Sequence, residues 1–101
     1  MNRDITTARK SFAAVRQIER NWRLDRYDGR NSDSTAQTHA YRLRQAHEAV
    51  ARCDRAVQGL LTVEHDLASR IAQCKDATGW DRPELTTRLR AARKQLRALA
   101  N

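Results

Sequence analysis

The chain is short of the residues that turn and break a backbone. Its 101 residues hold three glycines, at positions 29, 59 and 79, and one proline, Pro83. So little turn-forming material leaves no room for the closely spaced hairpins of a β-sheet, and an all-α fold is expected. Three isolated glycines also cannot make a glycine-rich phosphate loop. Aromatic residues amount to only 5%, so any core must be built from Leu, Val, Ile and Ala on helix faces. Cys53 and Cys74 follow no paired-spacing motif, which suits a reducing compartment. Long hydrophobic runs are missing too. The longest, around residues 56–63, is broken by Gln58, Gly59 and Thr62, far short of the ~20 residues that span a bilayer. Met1-Asn2-Arg3-Asp4 opens no signal-peptide pattern. The expectation is a soluble, cytoplasmic chain without membrane contact, folded as one helical domain over residues 1–101.

Positive charge is plentiful. The net charge is +8 and the isoelectric point about 10.7, values that invite a polyanionic partner. Arg outnumbers Lys 17 to 3, a bias that a GC-rich genome also produces. Placement of the charges therefore decides more than their number.

The strongest pattern lies between residues 35 and 78. On a seven-residue repeat, position a holds Ala36, Leu43, Val50, Val57, Glu64, Ile71 and Thr78, and position d holds His39, Ala46, Cys53, Leu60, Leu67 and Cys74. Apolar residues at alternating steps of three and four line one side of a helix. The pattern predicts a long coiled-coil-like helix over 35–78, which at ~1.5 Å per residue is a rod about 66 Å long. Gly59 falls at position c, away from the seam, and is the expected place for any bend. Ile5, Ala8, Phe12, Val15, Ile18 and Trp22 predict a first helix over 4–27. Leu85, Leu89, Ala92, Leu96 and Leu99 predict a last helix over 82–100, opened by Asp81, Pro83 and Glu84. Ser34 and Gln37 have the spacing of a capping box for the central helix.

These lengths place the two shorter helices antiparallel along the two halves of the central one. Such a chain is only two helices thick, and the central seam is wider than one partner helix covers. The expectation is a homodimer, a helical bundle joined along Leu43, Val50, Cys53, Val57, Leu60, Leu67, Ile71 and Cys74. The other solution is a bend that folds the two halves together. On one straight helix Cys53 and Cys74 lie ~31 Å apart, too far for a disulfide. Glu64 puts a charge in the seam, where an arginine from a neighbouring helix is its expected partner.

Catalytic patterns are scarce, and a non-enzymatic protein without metal or cofactor is expected. His39 and His47 stand about 12 Å apart along a helix, too far to share a metal. His65-Asp66 reads as an outer-face pair with no nucleophile beside it. The charged stripes are more informative. Arg90, Arg93, Lys94 and Arg97 share one face of the last helix, and no acid follows Glu84. Arg9, Arg16, Arg20 and Arg23 flank the apolar stripe of the first helix. No base-reading motif accompanies them, so contacts to phosphates are expected without sequence readout. The sequence points to a small basic helical protein that docks on nucleic acid or a nucleoprotein through its terminal helices. The alternative is a protein-binding adaptor or inhibitor, of the kind that mobile elements or phages carry, covering an acidic protein surface with the same arginines.

Overall fold

A computed structural model describes residues 2–25, 33–73 and 82–100. These residues form four helices, α1 (Asn2–Asp25), α2 (Asp33–Ala51), α3 (Arg55–Gln73) and α4 (Arg82–Ala100), with no strand among them. The all-α expectation holds. The single central helix does not, because it is two helices broken at Arg52-Cys53-Asp54.

Local chemistry explains the break. The last turn of α2 tightens, with Arg52 N donating to Ala49 O at 3.2 Å and Cys53 N to Val50 O at 2.9 Å, bonds of the 3₁₀ type. Asp54 then caps α3: its Oδ1 accepts from Val57 N at 3.1 Å. Gln58 Nε2 donates to Cys53 O at 2.8 Å, satisfying a carbonyl that the break would otherwise strand. Gly59, the expected bend, lies inside α3, exposed, with nothing within 4 Å of an added Cβ. A capping aspartate, not the glycine, sets the corner.

The corner turns the chain into two antiparallel helical hairpins. In the first, α1 pairs with α2 through Phe12 against His47 and Glu19–His39 at 3.1 Å, and Asp4 meets Arg52, just past the end of α2, at 2.8 Å. In the second, α3 pairs with α4, with Leu67 packed on Leu85 and Leu89. α1 touches all three other helices, so it carries most of the contact between the hairpins. Ile5 and Ala8 of α1, Ala49 of α2, Cys53 of the corner, Val57 and Leu61 of α3 and Leu96 of α4 form one core where the hairpins meet. With extents of 41 × 35 × 18 Å, no ~66 Å rod exists among the described residues, and the thin direction is about two helices deep.

The residues expected to join two chains are largely used within one. Cys53, Val57 and Leu67 are buried, and Val50, Leu60 and Ile71 pack against the two cores. Leu43 is half-buried on α2, and Cys74 lies outside the described residues. The reason is geometric: once the rod breaks, the chain's own helices cover the seam. Of the shorter stripes, Ile5, Ala8, Phe12 and Val15 are buried, as are Leu85, Leu89, Ala92 and Leu96. Leu99 is exposed, and Ile18 and Trp22 are half-buried. The expected stop at Tyr27, residues 28–32 of the loop expected over 28–34 and the Gly79-Trp80-Asp81 boundary fall outside the described residues; α2 already starts at Asp33, so Ser34 stands inside the helix and not before it as the expected cap.

Candidate functional site

Glu64 faces inward from α3 because it continues the helical spacing of Val57, Leu61 and Leu67. Its side chain is 6% exposed, and a carboxylate so placed requires a cation. Two arrive, from different helices. Arg9 of α1 grips it side-on, Nε donating at 3.1 Å to Oε1 and 3.2 Å to Oε2, and Nη2 at 2.9 Å to Oε2. Arg93 of α4 donates from Nε to the same Oε2 at 3.3 Å. The sequence expectation of an arginine partner holds twice over, and Glu64 ties α1, α3 and α4 together.

The next residue, His65, serves the same face. Arg16 Nη1 lies 3.0 Å from its Nδ1. A guanidinium only donates, so Nδ1 accepts, and the ring is neutral with its proton on Nε2. The imidazole stacks on Phe12 at 4.2 Å between centroids and 19° between planes, while His47 meets the same Phe12 edge-on at 5.8 Å. Burial, then the adjacent Arg16 charge, hold the His65 pKa below its usual value. Burial likewise lowers Arg16, opposed by Glu64 and reinforced by Arg93 and Arg9, though a guanidinium stays charged. His65 was expected on an outer face. It is half-buried instead, and its spacing of four from Leu61 was the signal for that.

The arginines expected at the site therefore separate into two groups. Arg9, Arg16 and Arg93 are half-buried and rooted on Glu64 or His65. Arg20, Arg90, Lys94 and Arg97 are exposed and form no ion pair with an acid among the described residues. On α4 the spacing puts Arg90 and Arg97 one turn to either side of Arg93. On α1 Arg20 is one turn beyond Arg16. The side chain of Arg23 lies outside the described residues. No group of three His, Cys, Asp or Glu side chains suited to a metal occurs among the described residues. No helix among them is long and apolar enough to cross a membrane.

No protein-family model, curated protein or solved structure matches the chain. The site has to be read from its own chemistry. Cys53 contributes little to that reading: its thiol is buried, donates to Ala49 O at 3.4 Å, and is pushed up in pKa chiefly by burial. At the far end of the first hairpin Trp22 tilts over His39 at 4.7 Å and His39 is held by Glu19, while the buried Trp22 Nε1 has no hydrogen-bond partner among the described residues. α2 keeps one outward stripe, Ala40, Leu43, Arg44, His47, Glu48 and Ala51, as a shallow concavity on the surface.

Proposed function

We propose that this protein is a non-enzymatic helical module that docks on nucleic acid or a nucleoprotein through α1 and α4. One observation carries the reading: Arg9 and Arg93, from two helices, meet on the Glu64 carboxylate, Arg16 is held beside them on His65, and four exposed cations stand on the same two helices. Internal acids do not neutralise that face. A polyanion approaching it meets both arginine rows at once, and like-charge repulsion within the cluster is relieved by its phosphates. Base edges are not engaged, because no exposed aromatic platform accompanies the arginines among the described residues, so binding is indifferent to sequence.

The test is a salt titration on random-sequence duplex DNA and on single-stranded RNA. Four phosphate contacts give a slope of log K against log salt near −3.6, roughly a 150-fold loss of affinity between 50 and 200 mM. Absence of binding at 50 mM salt overturns the reading. The second reading, an adaptor or inhibitor on an acidic protein, draws support from the outward α2 stripe, which offers Leu43 and Ala40 for protein contact. Pairing of two chains would use that stripe too, since most of the seam is already covered.

A further inference from the structure

Glu64 and His65 are neighbours on α3, so their side chains leave the helix about 100° apart. Between them they catch three arginines, and each is caught in a way that leaves part of its fork free. Arg9 uses the edge made by Nε and Nη2, which turns Nη1 away from the carboxylate. Arg93 uses Nε alone, leaving Nη1 and Nη2 without a partner among the described residues. Arg16 uses Nη1 on His65, leaving Nη2 and Nε. The arginine side chains of the Glu64 pair are 27% and 38% exposed while the Glu64 side chain is 6% exposed. A ligand can therefore reach the outer N–H groups without displacing the carboxylate beneath them.

We propose that Arg9, Arg16 and Arg93, rooted on Glu64 and His65, form a discrete site for a tetrahedral oxyanion, a phosphate or sulfate group. Glu64 orients the two outer arginines and His65 the third, so the fork geometry exists before the anion arrives. Charge favours the anion as well, since Glu64 takes hydrogen bonds from Arg9 and Arg93 while Arg16 is held by a neutral ring, with Glu19 the other acid acting on it. The site does not depend on nucleic-acid docking by Arg20, Arg90, Lys94 and Arg97: a small phosphorylated compound satisfies it as well as a backbone phosphate.

His65 is a built-in reporter for the test. An anion held against Arg16 screens the charge that depresses the imidazole, so the His65 midpoint rises. The full chain is titrated by NMR from pH 8 to pH 4 in sodium sulfate and in sodium chloride at matched ionic strength; sulfate stays dianionic throughout. The expected result is a higher His65 midpoint in sulfate, saturating as one site. Arg93→Gln weakens sulfate by about tenfold, the loss of one charge-assisted hydrogen bond. Exchange of Arg90, Lys94 and Arg97 for Gln leaves sulfate affinity nearly unchanged. Identical His65 curves for the wild type in the two salts overturn the proposal, whatever the variants do. Loss of the sulfate response in the triple variant but not in Arg93→Gln overturns it too. Competition then names the source: unphosphorylated duplex DNA that displaces sulfate identifies a backbone phosphate as the natural ligand. Displacement only by a phosphate monoester identifies a small phosphorylated compound.

Discussion

Replacing Glu64 by Gln is the most informative single change, because stability and binding should move in opposite directions. The substitution keeps volume and helix propensity and removes one charge. Three N–H···O bonds from Arg9 and one from Arg93 converge on the carboxylate. A neutral amide offers one acceptor oxygen and sets its own NH2 against donors, so at least one arginine is left facing a donor. Breaking a fully buried pair costs about 3–5 kcal/mol. Here the arginine side chains are 27% and 38% exposed and partly rehydrate, and Arg93 in particular contributes little beyond a screened surface contact. A loss of about 2 kcal/mol is expected, or roughly 8–16 °C in Tm for a domain of this size. Urea unfolding followed by circular dichroism at 222 nm measures it, with an unchanged m-value as the sign that the transition remains the same. Affinity for duplex DNA should hold or rise in the same variant, since the basic face gains one net positive charge. A stability loss below about 0.5 kcal/mol, the scale of an exposed pair, refutes the view that Glu64 is the tie between three helices.

Gly59→Ala should stabilise the protein by about 0.5–1 kcal/mol, because the added methyl meets open space on an exposed helical turn; denaturant titration reads the gain directly. Stability should also fall with acid in a way traceable to His65. Its folded pKa is depressed, so its contribution is complete above about pH 6.5, the unfolded value, and is lost as pH drops through the lower folded value. Asp66 and Glu19 oppose that depression while His47 and Arg16 support it; His65→Gln should flatten the slope of stability against pH in this window. Exchange of Arg90, Lys94 and Arg97 for Gln should leave Tm nearly unchanged and reduce the salt slope on duplex DNA by about 0.9 for each lost contact. A large drop in Tm there would mean that these exposed cations serve the fold.

What the sequence made legible follows from periodicity. Stripes such as Ile5-Ala8-Phe12-Val15 and Leu85-Leu89-Ala92-Leu96 read correctly because one helix face meets one core. The pairing of Glu64 with arginine was readable for a related reason, since a carboxylate in an apolar seam has few alternatives. The break at residues 52–54 was hidden by that same regularity. Cys53 and Val57 stay on the inward face across the corner, so the heptads run through it without a fault. Asp54 was the available signal, a good cap three residues before Val57, but an isolated aspartate inside a long helical pattern also reads as a surface residue. The division of the arginines was hidden as well. Arg93 shares its stripe with Arg90, Lys94 and Arg97, and only the packing of α4 on α3 sets it beside Glu64 while the other three stay exposed.

The corner at Arg52-Cys53-Asp54 also sets an order of events in folding. Arg9 and Glu64 stand 55 residues apart in the chain, and closing a flexible loop of that length from a coil is entropically costly. Each hairpin, by contrast, zips from its own short connection. After both have formed, only the corner remains to be fixed, and the burial of Ile5, Leu61 and Leu96 draws α1 onto α3 and α4. Arg93 reaches Glu64 within the second hairpin, whereas Arg9 reaches it only when α1 docks, so the Arg9–Glu64 contact is expected to form late. Changes at this ion cluster should accordingly speed unfolding far more than they slow folding. Beside the shared core of Ile5, Leu61 and Leu96, the Arg9–Glu64 contact is thus expected to act as a latch, slowing the parting of the two hairpins more than it speeds their meeting.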